Sequence, residues 1–592
     1  MAAASALVCQ LIAKLFLSRL VPKVSAMVIH PKLLTDPFLQ LPTKNSVRVV
    51  WFTEFAGIQH TVHYGEGLGQ KAGAKTTLLS RTHEDADSYL ETPATQLTRR
   101  LIWRHEAEVT GLLPGTPIPY QVSSTREDGE AVHSEIFTLS ASPAPGQPLK
   151  ILLTSDHQLK PMVAANYQKV VETVGKVDAV LFAGDLINVP DRASEWFDAS
   201  TGNAFFPVLQ GRAHYEMERN GVKTTYVGGA LIQSAPLFAA IGNHEVMGRF
   251  STESSLHFQF NDAVPRTKAK ERYDQDARVI NPTNDPAIQD SWLKNHSFNT
   301  DTYEEIFSFP ENSPGGKKYY AITFGDVRLI VLYITNIWRT YNLTANEKGR
   351  YHEQQADLNI PDKWGYGQHI FEPIAEGSPQ YNWLKQELNH PEFQQAKYRV
   401  VMFHHPPHTL GDNIVPAYTD PVQVIERDID GTIRAIRYEY PKQADYIIRD
   451  VVPLLEAAGT HLVFFGHSHL WNRFVSPSGT HYLESSNVGN SYGAYVGDRK
   501  RPIPLNYKEE YVATGDPNGL EPVVPTIAPL RDTSGQPMPY IASNDITVFS
   551  IFDTGSGTIS SYRFDTQEPE SAVVRFDEFR VRRENVLDER RK

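Results

Sequence analysis

Five apolar runs after residue 150 each end in side chains that can hold a metal ion or move a proton. These endings are Asp156 with Gln158, Asp185 with Asn188, Gly242-Asn243-His244-Glu245, His404-His405, and Gly466-His467-Ser468-His469. Carboxylate, amide and imidazole ligands together suit Zn, Mn or Fe ions. Each ending by itself is also typical of turns and helix caps. Their ordered recurrence favours a single metal site.

The segments that carry these endings read as buried strands. Runs such as "KILLTSD", "DAVLFAGD" and "HLVFFGHSH" alternate with helix-like stretches such as "AANYQKVVETVGK" and "QYNWLKQELNH". This alternation predicts a layered α/β domain. Because the carboxyl ends of parallel strands meet at one edge of a sheet, we expect all five endings to converge on one crevice.

The residues before this domain have a different composition and pattern. Short runs rich in β-branched and aromatic residues, separated by Gly and Pro turns, predict an all-β sandwich over residues 38–142. The stretch "ASPAPGQP" disfavours helix and central strand, and it reads as a linker. The α/β domain is predicted over residues 148–566 and closes with a hairpin in "ITVFSIFDTGSGTISSYRFDT". The remaining divisions are an N-terminal extension at 1–37, three loop-like insertions at 249–302, 337–378 and 491–540, and a charged C-terminal tail at 567–592.

Composition limits the classes of protein. The 592 residues are 41% hydrophobic and 21% charged, which is typical of a globular protein with more than one domain. A net charge of -12 argues against a nucleic-acid partner. Cys9 is the only cysteine, so an intramolecular disulfide and a cysteine-rich metal site are both excluded. No stretch approaches the about 18 consecutive apolar residues of a membrane span.

The compartment depends on how the N-terminus is read. Residues 1–26 act as a signal peptide for a secreted or periplasmic protein, or Met27 is the true start of a cytoplasmic one. The oligomeric state has no signal in the sequence.

The ordered endings resemble those of the calcineurin-like metallophosphoesterases. The upstream β domain, with "RHEAEVTGLLPGTPIPYQV", is similar to the fibronectin-III-like domain that precedes the catalytic domain in purple acid phosphatases. The resemblance covers most of residues 40–566 apart from the insertions. It implies a four-layer α/β domain in which helices flank two central β-sheets.

The resemblance also implies roles for individual residues. Asp185 bridges two metal ions, and His244 contacts the substrate phosphate or the leaving group. The remaining ligands are Asn243, His404 and His467 for the second metal, and Asp156 and His469 for the first. His404 is preferred to His405 because a proline follows two residues later, although His405 also has a proline at that spacing.

The function that follows is hydrolysis of phosphate mono- or diesters. The resemblance implies two ions per chain, drawn from Fe, Mn or Zn, and in-line attack of a metal-bridging hydroxide on a small phosphorylated substrate. Two alternatives remain. One is a nucleotide or polyphosphate hydrolase of the same superfamily, and the other is a catalytically weakened metal-binding scaffold with the β domain as a partner module.

The chain departs from the family at the first metal. The family usually has histidine at the position of Gln158, and its purple branch has glycine there and tyrosine at the position of Asn188. Without that tyrosine we expect no iron charge-transfer band. Gln158, Asn188 and His157 are the candidate replacement ligands, and an oxygen ligand here would favour Mn, Mg or Ca over Zn.

Substrate specificity is assigned to the insertions. Trp338, Arg339, Trp364 and Tyr366 either line a pocket or pack the insertions onto the domain, and the packing interpretation is favoured.

Overall fold

A computed structural model describes residues 32–336, 351–367, 371–411, 417–502 and 512–582 of the chain. Most of the N-terminal extension, the end of the charged tail, and Trp338 with Arg339 lie outside these residues. The insertions predicted at 337–378 and 491–540 are described in part. Within the described ranges, every helix is too short or too polar to span a lipid bilayer.

The region before residue 142 is built from β-strands, as predicted. One sheet has the strand order β1-β2-β8-β5, a second has the order β10-β9-β3-β4 with β11 also paired to β9, and β6 and β7 form a separate pair. Alternate residues of β2 and β9, including Val49, Trp51 and Val122, enter one buried cluster with Val62 and Tyr120. The strands are β1 Phe38–Gln40, β2 Ser46–Thr53, β3 Gln59–Tyr64, β4 Gln70–Gly73, β5 Lys75–Leu78, β6 His83–Glu84, β7 Thr98–Arg99, β8 Trp103–Thr110, β9 Ile118–Thr125, β10 Ala131–His133 and β11 Phe137–Leu139.

From residue 150 onward, strands alternate with helices. The strands are β12 Lys150–Thr154, β13 Ala179–Phe182, β14 Tyr215–Arg219, β15 Val222–Tyr226, β16 Leu237–Ala239, β17 Tyr320–Phe324, β18 Val327–Val331, β19 Tyr398–Met402, β20 Val422–Arg427, β21 Ile433–Glu439, β22 Leu462–Phe465, β23 Trp471–Val475, β24 His481–Ser485, β25 Tyr540–Ile541, β26 Ile546–Asp553, β27 Thr558–Asp565 and β28 Val574–Arg580. The α-helices are α1 Val163–Val174, α2 Ala193–Phe197, α3 Phe205–Leu209, α4 Leu256–Phe260, α5 Arg266–Ile280, α6 Pro286–His296, α7 Asp301–Ile306, α8 Pro379–Asn389, α9 Pro391–Gln395 and α10 Val452–Ala457.

Two mixed sheets form the centre of this domain. One has the order β16-β13-β12-β26-β27-β28 and the other the order β17-β18-β19-β22-β24-β23-β25. Strands β16, β13 and β12 are parallel, as are β18, β19, β22 and β24. Side chains join the two sheets: the Tyr398 hydroxyl donates to the carbonyl of Thr554 at 2.9 Å, and the Trp471 indole donates to Ser561 Oγ at 3.1 Å.

Both central sheets deliver metal-capable endings. These endings were expected to converge on one crevice, and β12, β13 and β16 deliver three of them from one sheet while β19 and β22 deliver two from the other. Their carboxyl ends still meet, because the sheets pack against each other.

The segment at 249–302 was predicted to be a loop-like insertion, but it contains the helices α4, α5 and α6. Helix α5 buries only Ala269 and Tyr273. Its sequence therefore has too little apolar periodicity to predict a helix. Local interactions stabilise these helices: Ser255 and Asp285 cap α4 and α6 through backbone N–H groups, and Lys270 pairs with Asp274 at 2.5 Å.

Candidate metal centre

His404 lies at the middle of a group of metal-ligating atoms. Its Nε2 is 3.1 Å from Asn243 Oδ1, 3.1 Å from His467 Nδ1 and 3.2 Å from Asp185 Oδ2. Its Nδ1 donates to the carbonyl of Ala183 at 2.8 Å, which fixes the ring and turns Nε2 toward the group. Burial opposes protonation, but Asp185 raises the pKa of His404 to about 9. The negative charge next to His404 therefore favours binding of a cation at this position.

A second group adjoins the first on the side of Asp156. Nε2 of His469 lies 3.3 Å from Asp156 Oδ1, and Nδ1 of His469 is hydrogen-bonded to Asn490 Oδ1 at 2.8 Å. Asp156, Asp185 and His404 each offer a ligand atom, and these atoms lie within 4.8 Å of one another. The structure thus brings the predicted ligands of both metals into one connected cluster.

Asp185 joins the two groups and is itself held from several sides. Its Oδ1 accepts the backbone N–H of His244 at 2.9 Å, while Oδ2 faces His404. Burial favours the protonated acid, but His404 and His244 outweigh that effect and lower the pKa of Asp185. The carboxylate is consequently ionised and available to a cation.

Five residues of the cluster adopt left-handed backbone conformations. Their φ angles are 54° at Asp156, 45° at Gln158, 57° at Asp185, 84° at His467 and 54° at His469. Such angles are uncommon outside glycine and concentrate at functional sites, where the surrounding structure holds them. These turns direct the side chains that follow each strand toward the cluster.

Glycines next to these residues permit the close approach of the loops. Gly184 has φ of 99°, and a Cβ there would stand 2.8 Å from both Gly242 N and His404 Nδ1. A side chain at Gly242 would collide with Oδ1 of Asp185. The Gly-Asp and Gly-Asn pairs of the sequence are therefore steric requirements of the cluster.

Two buried glutamates hold the ligand-bearing loops. Glu245 accepts backbone N–H groups from Gly242 at 2.7 Å, Asp185 at 2.9 Å and Leu186 at 2.7 Å. Glu484 accepts the N–H of Ser468 at 2.8 Å, between the two histidines of that loop. Burial raises the pKa of both carboxyls, that of Glu484 to about 8. The sequence analysis gave neither residue a role. Glu245 belongs to the Gly-Asn-His-Glu motif, whereas no sequence motif marks Glu484, which lies in the buried strand β24.

The candidate replacement ligands have different positions. The side-chain amide of Gln158 donates to Asp185 Oδ2 at 2.9 Å, so it lies within the cluster. Asn188 uses its amide to bind the carbonyl of Gln158 at 2.8 Å. The ring of His157 packs against Tyr167 and Phe205 at centroid distances of 6.1 and 5.5 Å, and burial lowers its pKa to about 3. The structure does not bring the His157 ring to the metal centre, because that ring fills apolar space behind it.

His405 lies beside His404 and contacts the same cluster through His467. Its ring stacks on that of His467 at a centroid distance of 3.8 Å and approaches Tyr418 at 5.6 Å. Ligand atoms of His404, His405 and His467 also lie within 4.8 Å of one another. The short distances from His404 to Asp185 and Asn243 favour His404 as the ligand.

The ring of His244 is held by a hydrogen bond and by an aromatic contact. Its Nδ1 donates to the carbonyl of Asn188 at 2.7 Å, and its ring stacks on Phe260 at 5.4 Å with an interplanar angle of 24°. Burial lowers its pKa, against the opposing effect of Asp185. Because Nδ1 is occupied, Nε2 is the ring nitrogen left for a ligand.

Lys160 is a half-buried cation near the centre that sequence reasoning missed, although it stands in the same loop as Gln158. Burial lowers its pKa, and the charges of Glu195, Asp185 and Asp156 oppose that effect. It forms no ion pair with any residue in the described part of the chain. Its charge is therefore available to an anion.

Trp364 and Tyr366 were predicted either to line a pocket or to pack an insertion onto the domain, and the structure is compatible with both. Trp364 packs against a buried cluster that includes Tyr351 and Tyr438, and its indole donates to the carbonyl of Asp357 at 2.9 Å. Both aromatic residues also line a cavity of about 900 Å³, together with Arg249.

Buried carboxylates, imidazoles and an amide at converging strand ends define the protein as an α/β protein with a metal-binding centre. Residues 149–470 match the model of the calcineurin-like phosphoesterase family. The chain therefore belongs to that family, and the predicted resemblance is confirmed.

A comparison with one solved structure supports this fold. The chain is similar to the purple acid phosphatase PPD1 from seeds of yellow lupin, Lupinus luteus, with 14% identity and a TM-score of 0.50 over 92% of this chain and 73% of that one. It is also similar to PhoD, with 13% identity and a TM-score of 0.45 over 94% and 91% of the two chains. A comparison with curated protein sequences gave no match.

Proposed function

We propose that the protein is a binuclear-metal-dependent phosphoesterase that hydrolyses phosphate mono- or diesters of small compounds. The observation that carries this proposal is the position of Asp185. Its carboxylate contacts His404 at 3.2 Å, and it also shares a 4.8 Å group of ligand atoms with Asp156. One carboxylate between two ligand groups is the arrangement that two neighbouring ions need.

The donor atoms fit metal ions of the Fe, Mn or Zn type. Asn243, His404 and His467 would hold one ion, and Asp156 and His469 the other, with Asp185 between them. The set contains imidazole nitrogens and carboxylate or amide oxygens, and no thiolate. When bound, such ions supply Lewis acidity and lower the pKa of a coordinated water.

Two residues outside the ligand set act on the substrate. His244 presents Nε2 and can donate a proton to the departing oxygen, while its Nδ1–H remains on the carbonyl of Asn188. Lys160 contributes a positive charge beside Asp185 and Asp156, which favours binding of the phosphoryl group. These roles need no nucleophile from the protein.

We also propose that the β region over 38–142 is fibronectin-III-like and that the domain over 148–566 has four layers. The support for the first is its two sheets around one core. The support for the second is that helix α1 binds β26 through Asn166, while helix α8 is tied to the other sheet through Glu387 and Arg328.

A nucleotide or polyphosphate is the second candidate substrate. The cavity of about 900 Å³ combines the aromatic rings of Trp364 and Tyr366 with the cationic side chains of Arg249 and Lys268. Aromatic faces suit a base. The two cations suit a phosphate chain only by leaving their present partners, Asp262 at 2.8 Å from Arg249 and Glu271 at 2.9 Å from Lys268.

A metal analysis combined with a hydrolysis screen tests the proposal. The full chain is assayed against p-nitrophenyl phosphate, bis-p-nitrophenyl phosphate, ATP and polyphosphate, with and without chelator. We expect turnover that chelator abolishes and added metal restores. A metal-loaded protein without turnover on any of these compounds would identify the scaffold alternative instead.

A further inference from the structure

We propose that Asp85, in the N-terminal β region, is a positioning residue for His244. This inference rests on the proposed function only in giving His244 a task. It assigns a purpose to the β region beyond that of a spacer. The β region would hold one catalytic side chain of the other domain in place.

The carboxylate of Asp85 is buried, with 2% of the residue exposed, and it joins two segments of the catalytic domain. It accepts Nη2 of Arg192 at 3.1 and 3.4 Å on its two oxygens. It also accepts the backbone N–H of Leu256 at 2.7 Å. Arg192 and Leu256 belong to the two segments that contact His244.

The first route runs through Arg192. Nη1 of Arg192 donates to Glu195 Oε1 at 2.8 Å, and Oε2 of Glu195 accepts the N–H of Asn188 at 2.6 Å and that of Val189 at 3.0 Å. The carbonyl of Asn188 then accepts Nδ1 of His244 at 2.7 Å. Each step is a hydrogen bond, and the side chains of Asp85, Arg192 and Glu195 form two successive ion pairs along the route.

The second route runs through helix α4. Leu256 is the first residue of that helix, and Phe260 is the last. The ring of Phe260 stacks on the ring of His244 at 5.4 Å. Asp85 therefore fixes one end of a five-residue helix whose other end forms a wall for His244.

Changing the carboxylate to an amide disturbs both routes at once. A carboxylate accepts hydrogen bonds at both oxygens, whereas an amide keeps one acceptor and presents an N–H₂ group to a donor. Arg192 and Glu195 are 5% and 0% exposed, so the lost negative charge is not replaced by water. We expect the Asn188 loop and helix α4 to relax and the His244 ring to lose its fixed orientation.

A matched control separates positioning from general stabilisation of the interface. Asp301 is also buried, at 8% exposure, and it also accepts an arginine of the β region, Arg81, at 3.0 and 3.1 Å. Its other side-chain partner is Lys294 at 2.8 Å. Its side-chain bonds lead to these cations rather than to His244, so Asp301→Asn breaks a comparable contact elsewhere.

The experiment compares the full-length chain with Asp85→Asn, Asp301→Asn, His244→Ala and the Asp85→Asn/His244→Ala double variant. The ring signal of His244 is followed by NMR on ¹³C-histidine-labelled metal-free protein and assigned by its loss in His244→Ala. Hydrolysis of aryl and alkyl phosphates is measured in parallel.

We expect Asp85→Asn to shift or broaden the His244 signal and to lower kcat on an alkyl phosphate about 10-fold, with KM unchanged. The double variant should be no slower than His244→Ala, and Asp301→Asn should change neither quantity. An unaltered His244 signal in Asp85→Asn, or an equal change in Asp301→Asn, overturns the proposal. The NMR comparison decides the role of Asp85 even if the wild-type protein hydrolyses no phosphoester, a result that would remove only the proposed function.

Phe260→Leu keeps the inference open to test if Asp85→Asn fails to fold. This change removes the stacked ring of the second route and leaves the charged network intact. Because loss of the Phe260 ring current shifts the His244 signal in any case, the readout here is the line width of that signal. A broadened signal supports the second route, and an unchanged line width overturns it.

Discussion

The side-chain amide of Gln158 donates a hydrogen bond to Oδ2 of Asp185 at 2.9 Å. Oδ2 is also the oxygen of Asp185 that lies 3.2 Å from His404 Nε2. The residue that departs from the family pattern therefore touches the carboxylate that the two ligand groups share. A change at Gln158 is a change at the metal centre.

Asp185→Asn removes the charge that both ligand groups share. We expect turnover to fall by well over about 100-fold, because even residues that only orient metal ligands cost about 10- to 100-fold when changed. Metal content, measured by elemental analysis after desalting, should fall as well. Two retained ions with wild-type activity would be incompatible with a bridging role.

His244→Ala removes the ring that faces the substrate without removing a proposed ligand. We expect a rate loss of about 10² to 10⁴ with metal content unchanged. The loss should be larger for alkyl than for aryl phosphates, because poor leaving groups need the proton more. Equal losses on both esters, or loss of a metal ion, would argue against a role at the leaving group.

The positions of the candidate ligands could be read from the sequence more directly than the sheet to which each strand belongs. Asp156, Asp185 and His404 could be selected because each stands just after an apolar run, a local signal. That β19 and β22 belong to a second sheet depends on pairings between distant segments, which no local pattern records. Glu484 and Asp85 escaped notice for the same reason. Their partners, Ser468 and Arg192, are fixed by the packing of strands and domains.

Lys160→Met tests the proposed contact with the phosphoryl group. Loss of one charge-assisted hydrogen bond, worth about 1.5 kcal/mol, should raise KM for a phosphate monoester about 10-fold. A diester carries less negative charge and should be affected less. Lys160→Arg keeps the charge and serves as the control. Michaelis constants for all three proteins that agree within error would place Lys160 away from the substrate.

Asp191 gives the fold a dependence on pH that is separate from the metal centre. Its buried carboxyl accepts Thr302 Oγ1 at 2.6 Å, and burial raises its pKa to about 7. The folded state therefore holds this proton more tightly than the unfolded state, whose aspartate has a pKa of about 3.9. Stability from this group is complete below about pH 4 and is lost as the pH rises toward 7.

Asp191→Asn should remove that dependence, on the order of 2 kcal/mol between pH 5 and pH 7.5. Denaturant unfolding of both proteins at the two pH values measures the difference. Asp128→Asn is a control at an exposed carboxyl of the β region, which pairs with Arg126 at 3.3 Å. A stability difference between the two proteins that is the same at both pH values would show that the carboxyl is already ionised in the folded state at pH 5.

Gln158 is the proposed oxygen ligand of the first metal. An amide oxygen is a weaker and harder ligand than the imidazole that the family usually places there. We expect dialysis to leave about one ion per chain and activity to recover best with Mn or another hard divalent ion.

Gln158→His should tighten zinc or iron at that site, while Gln158→Ala should weaken the first metal further. The amide nitrogen of Gln158 lies 2.9 Å from Asp185 Oδ2, so rotation of the amide would bring its oxygen to the same place without movement of the backbone. Two tightly held ions in the unmodified protein, unaffected by chelator and by Gln158→Ala, would make the glutamine a bystander. The site would then have to be completed by another group, and Asn188 is the nearest candidate, because its amide already binds the Gln158 carbonyl at 2.8 Å.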